Sequence, residues 1–102
     1  MSTTFSEFEE QLEDILTALK ALAHPLRIQI LCTLLDGPRS VSALVEATQG
    51  SQSQVSQFLK ALRTEGIVSF EKNGTQCLYR IQDARIAKLV SKIKTIYCDS
   101  HY

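Results

Sequence analysis

The sequence predicts a mainly α-helical domain with one small β-hairpin, on three observations. Apolar residues recur every three or four positions in five separate stretches. Two short alternating runs, Ile67-Val68-Ser69-Phe70 and Cys77-Leu78-Tyr79-Arg80-Ile81, flank the turn-forming Lys72-Asn73-Gly74-Thr75. The fourth helical stretch, Ser51 to Gly66, is apolar on one side and polar without a carboxylate on the other, and a shorter helical segment leads into it through Thr48, Gln49 and Gly50. Helix-turn-helix followed directly by a hairpin is the winged helix-turn-helix order, here α1-α2-α3-α4-β1-β2-α5. Without repeats, low-complexity runs or linkers, residues 1–102 read as a single domain.

Each element has its own reason. In the first, Phe5, Phe8, Leu12, Ile15, Leu19 and Leu22 form one helical seam, which on a terminal helix more often packs into the chain's own core. Ala23-His24-Pro25 breaks it. Pro25 suits the first turn of a new helix, and His24 reads as a boundary residue rather than a ligand. The second helix, Pro25 to Leu35, places Ile28, Leu31, Cys32 and Leu35 on one face, and Asp36-Gly37-Pro38 ends it. Ser40 caps the third, with Val41, Leu44 and Val45 inward and Glu46 solvated. Ser51 caps the fourth, where Val55, Phe58, Leu59 and Leu62 form the buried side and Gly66 closes the helix. After the hairpin, Asp83 opens a last helix with Ile86, Leu89, Val90, Ile93 and Tyr97 apolar and Arg85, Lys88, Lys92 and Lys94 outward.

The polar side of the fourth helix carries Gln52, Ser53, Gln54, Ser56, Gln57, Lys60 and Arg63, next to Ser51. Alone, such a face would read as solvated surface. Ahead of a hairpin it reads as a DNA-reading face, because Gln pairs bidentately with adenine, Ser reaches base edges or phosphate, and Lys and Arg neutralise the backbone. Gln54, Ser56 and Gln57 are the expected base readers; Ser53, Lys60, Arg63 and Lys72 are the expected phosphate contacts. Lys72, Asn73 and Gly74, at the hairpin tip, are placed to meet the backbone or the minor groove.

Bulk properties fit this reading. A chain of 102 residues with 44% hydrophobic content supports one modest core, and a partner would help to bury the remaining apolar surface. The net charge is zero, yet residues 1–59 hold three Lys/Arg against seven Asp/Glu and residues 60–102 hold eight against four. The basic half contains the end of the reading helix, the wing and the last helix, which favours a nucleic-acid partner. The acidic N-terminal stretch lacks the basic and apolar regions of a secretory signal, and no apolar run approaches a membrane span, so a cytoplasmic location and reduced thiols at the three cysteines are expected. No Ser/His/Asp order, phosphate-binding glycine loop or paired acid/base constellation points to an enzyme or a cofactor.

The residues LKALAHPLRIQILCTLL, the pattern SxSxVSxFLxxLxxEGIV and KNGTQCLYRI together resemble the ArsR/SmtB family of bacterial repressors, over roughly residues 15–98. Phe58 departs from the His found at that position in many members, and reads as added packing. The resemblance implies a homodimer in which the first and last helices form the interface. Metal-sensing members carry a Cys-x-Cys pair on the third helix, or Asp-x-His with His-x-x-His or His-x-x-Glu on the last. This chain has no such third-helix pair, and Asp83-Ala84-Arg85 opens the last helix with no His before His101. Ile30-Leu31-Cys32 and Tyr97-Cys98 resemble instead the BigR/SqrR-type persulfide-sensing branch, which implies a Cys32–Cys98 dithiol sensor that reactive sulfur species bridge to release the operator. A direct disulfide needs Cα atoms within about 7 Å, whereas added sulfur spans a longer gap. An inert buried thiol is the plainer reading of Cys32 alone. The metal-responsive alternative would use Cys32, Cys98 and His101. Cys77 reads as incidental packing, and Lys94, one turn before Cys98, is placed to lower that thiol's pKa.

Overall fold

A computed structural model describes residues 2–98, with side chains from residue 6 onward, so Phe5 of the first seam and His101 lie outside the described side chains. The elements follow the expected order: α1 (Ser2–Leu22), α2 (Pro25–Leu34), α3 (Val41–Thr48), α4 (Gln52–Thr64), β1 (Val68–Asn73), β2 (Gln76–Ile81) and α5 (Ala84–Tyr97). Local chemistry sets the boundaries. His24 is the N-cap of α2, its Nδ1 accepting from the Leu26 amide at 3.1 Å, with Pro25 following. Ser40 and Ser51 cap α3 and α4 by accepting from Ala43 and Gln54, and Asp83 caps α5 by accepting from Arg85. At the end of α4, Gly66 is left-handed and its amide donates to the Arg63 carbonyl while that of Ile67 donates to Leu62, a Schellman closure.

The hairpin is tighter than the sequence suggests. β1 and β2 pair antiparallel in the register Val68↔Ile81 to Asn73↔Gln76, leaving a two-residue turn of Gly74 and Thr75. Lys72 and Asn73 are therefore strand residues. Gly74 takes the first turn position with φ 69°, where a side chain would be strained. At the root of the wing, Arg39 and Tyr79 exchange backbone hydrogen bonds at 3.0 and 2.8 Å, tying the α2–α3 loop to β2.

The core gathers Leu26, Ile30, Leu31 and Leu34 of α2 with Leu44, Val55, Leu59, Leu62, Ile67, Val68, Ile86 and Val90. The buried face of α2 differs from the expected one: only Leu31 of that set is fully buried, while Cys32 and Leu35 are partly so. The reason is that α2 packs against α1, α3, α4, α5 and β2, so no single stripe faces inward. The seam of α1 also departs from the intramolecular reading. Phe8 and Leu19 are 54% and 53% exposed, and Leu12 and Leu16 are exposed beside them. Across the chain, Ile96 and Tyr97 of α5 are exposed as well.

Candidate functional site

The turn between α3 and α4 is built from three consecutive residues. Gln49 ends α3 in the left-handed region at φ 64°, which costs a residue with a Cβ of order 1 kcal/mol. The buried Thr48 hydroxyl donates to the Leu44 carbonyl at 2.6 Å and accepts from the Gly50 amide at 3.3 Å, holding that conformation. At Gly50, an added Cβ would sit 2.9 and 3.0 Å from the two Leu26 methyls and 3.2 Å from Val55, so the close approach itself demands glycine. This fixes the entry of α4 against α2.

On α4, Val55, Leu59 and Leu62 are fully buried. Ser51, Gln52, Ser53, Gln54, Ser56, Gln57, Lys60 and Arg63 are all exposed, as are Lys72, Asn73 and Gly74 on the wing. The fold thus brings every one of these residues to the surface on two elements joined by Glu65, Gly66 and Ile67. One of them, Arg63, and the neighbouring Phe58 are further committed. The Arg63 guanidinium stacks 4.4 Å from the centre of the Phe70 ring and interacts with the Tyr79 hydroxyl, which braces the wing against α4. Phe58 is half-buried against the His24 ring at 4.6 Å, with the Arg27 guanidinium 5.3 Å away and Arg27 paired to Glu65 at 3.7 Å. Its expected packing role is therefore specific: it anchors the middle of α4 to the start of α2.

Two of the cysteines form a second candidate site. Cys32 and Cys98 line one groove of about 490 Å³, together with Ile93 and Lys94 of α5 and with Thr48 and Gln49 of the turn just described. Cys32 is half-buried and Cys98 exposed. Burial pushes the Cys32 thiol above its ordinary value; the Lys94 charge pulls it back, and negative charge on Cys98 pushes it further up. Lys94 is thus felt at Cys32, across the groove, a relation that the helical spacing to Cys98 did not reveal. Cys77 lies apart, half-buried on β2 and against Tyr79, whose hydroxyl is raised by burial and by this neighbour. Among the described residues no three His, Cys, Asp or Glu side chains gather to hold a metal, and His101 lies outside them. No single described helix is long and apolar enough to cross a membrane.

Comparison with known proteins agrees with this geometry. Residues 24–69 match the family model described as bacterial regulatory protein, arsR family. The chain is 37% identical to the biofilm growth-associated repressor of Xylella fastidiosa, over 93% of this chain and 83% of that protein. The crystal structure of the Xylella fastidiosa repressor BigR superposes with a TM-score of 0.84 at 36% identity, covering 91% of this chain and 95% of that one. Reduced HlyU from Vibrio cholerae gives 0.84 at 34%, covering 90% and 97%. The homodimeric winged helix-turn-helix domain Mb0332 from Mycobacterium bovis gives 0.75 at 30%, covering 92% and 93%.

Proposed function

The chain belongs to the ArsR family of bacterial regulatory proteins, which are DNA-binding transcriptional regulators rather than enzymes, and from that premise we propose a homodimeric repressor switched by reactive sulfur. It holds operator DNA while Cys32 and Cys98 are thiols, and releases it when the two are bridged. The observation that carries this reading is the shared groove: both thiols line it, and one of its walls is the turn that orients α4.

In the bound state Gln54, Ser56 and Gln57 read base edges, while Ser53, Lys60 and Lys72 meet phosphate and Asn73 and Gly74 follow the minor groove. Arg63 serves phosphate and wing together, since the residue is exposed while stacked on Phe70. The exposed Phe8, Leu12, Leu16 and Leu19 of α1, with Ile96 and Tyr97 of α5, supply the apolar surface of the two-fold interface. In the switching step, one organic persulfide RSSH and the two thiols give Cys32–S–S–Cys98, RSH and H₂S. A second persulfide adds one more sulfur to the bridge and releases a second RSH. Either bridge draws the end of α5 to α2 beside the turn, and each tenfold loss of operator affinity requires only about 1.4 kcal/mol of preference against the bound arrangement. The protein acts in the cytoplasm, where both thiols start reduced.

Operator binding before and after persulfide tests the reading, with intact mass spectrometry on the same samples. Cys32→Ser and Cys98→Ser should each bind the operator but fail to respond, while Cys77→Ser responds like the parent. Release of the Cys98→Ser protein by persulfide refutes the two-thiol mechanism. Loss of response in the presence of a chelator, with added metal restoring it, would favour the metal-responsive reading instead.

A further inference from the structure

The two thiols of the groove are not equivalent, and the groove has a charge. Cys98 is exposed at the C-cap of α5, its amide donating to the Lys94 carbonyl at 2.8 Å. Cys32 is half-buried on α2. Among the described residues Lys94 is the one charged side chain that lines the groove; the neighbours on α2 and on the turn, Thr33, Thr48 and Gln49 among them, are uncharged. Among the described residues, the titratable groups that face Cys32 are therefore Lys94 and Cys98, both on α5.

We propose that Cys98 is the capturing thiol, Cys32 the resolving thiol, and Lys94, which lines the same groove, the specificity-determining residue that draws carboxylate-bearing sulfur donors in and faces Cys32 in the closing step. Exposure favours Cys98 for the first encounter. The Cys98 thiolate attacks the outer sulfur of RSSH, forming Cys98–S–SH and expelling RS⁻, which takes up a proton. Charge on Cys98 opposes ionisation of Cys32, and the Lys94 ammonium acts against it. The Cys32 thiolate then attacks the inner sulfur of Cys98–S–SH, closing the disulfide and expelling HS⁻. A donor carrying a carboxylate gains a Coulomb contact with the same ammonium, while an uncharged oxidant of similar size gains none.

The physiological donor rests on the sulfur-sensing reading, but the roles of the three residues are tested without it. In a Cys77→Ser background, Cys32→Ser leaves Cys98 as the sole thiol, and its alkylation by iodoacetate is compared with that by the equally small, uncharged iodoacetamide. Lys94→Gln should lower the iodoacetate-to-iodoacetamide rate ratio about fivefold, the size of one charge contact across water, and Lys94→Arg should keep it. With Cys32 as the sole thiol, the pH midpoint of iodoacetamide alkylation should move up in Lys94→Gln and stay in Lys94→Arg. Given limiting persulfide of 3-mercaptopropionate, the Cys32→Ser protein should be modified at least about tenfold faster than Cys98→Ser, as expected of an exposed thiol against one held protonated by burial. An unchanged ratio and midpoint in Lys94→Gln, or equal rates for the two single-thiol proteins, overturns the proposal. If these results hold but a bridge fails to release operator, the sensing reading falls and the assignment of the three residues stands.

Discussion

Gly50→Ala offers a direct test of how α4 is seated. The new Cβ meets the Leu26 methyls at 2.9 and 3.0 Å and Val55 at 3.2 Å, well inside the 3.5–4.0 Å of ordinary carbon contact. Neither neighbour can swing into solvent, because Leu26 is 7% exposed and Val55 fully buried. Overpacking of this kind costs about 1–3 kcal/mol, and the lower entropy of an unfolded chain with Ala returns about 0.4–1 kcal/mol. A net loss of about 1–2 kcal/mol follows, or a Tm lower by at least about 4 °C, measured by urea and thermal unfolding at one protein concentration. Leu26→Val removes the two offending methyls, so the double variant should be more stable than the sum of the single changes predicts, by at least about 0.5 kcal/mol. A Gly50→Ala protein as stable as the parent, or strictly additive losses, would show that the turn is not held by this contact.

Other consequences are equally specific. Gln57→Ala should relax base preference at one position per half-site, by about 1–3 kcal/mol if the contact is bidentate, whereas Lys72→Ala should weaken all duplexes alike and flatten the salt dependence; equal effects of both changes on operator and random DNA would erase the distinction. Leu16→Glu places a charge among the exposed apolar residues of α1 and should shift sedimentation equilibrium towards monomer, with operator affinity falling in parallel. The folded state raises the Cys32 pKa above its unfolded value, so the stabilisation belongs to the thiol form: it is complete below the ordinary thiol range and fades as pH rises through the folded value. Unfolding free energy should therefore decline at alkaline pH more steeply for the parent than for Cys32→Ser, and parallel curves would remove Cys32 as the cause.

Much of the chain is legible without coordinates because its boundaries are chemically local. Ser40, Ser51 and Asp83 cap helices that begin one residue later, and the Val55, Leu59 and Leu62 spacing alone identifies the buried side of α4. What escapes is whatever depends on two elements at once. The burial pattern of α2 follows from five neighbours, which no single periodicity encodes. The His24–Phe58–Arg27 stack joins positions whose spacing has no meaning until α2 crosses α4. Lys94 looks like a neighbour of Cys98 along the helix, and only the crossing of α5 over α2 turns its charge towards Cys32. In the hairpin, the four polar residues read as turn because polarity does not distinguish strand end from loop; pairing of Asn73 with Gln76 decides it.

The backbone exchange between Arg39 and Tyr79 limits what any switch in this protein can move. It adds an isolated bridge to the free side of β2, and the Gln82 amide donating to the Ile67 carbonyl at 2.8 Å closes the open base of the hairpin. With Arg63 stacked on Phe70, the wing is pinned to both the loop before α3 and the last turns of α4. Reading helix and wing must then travel together, like a hand with its thumb splinted. On the proposed switch, a bridge at the thiol groove acts on where the whole hand points rather than on the wing alone, and in a two-fold assembly that means the span between two hands rather than the shape of either.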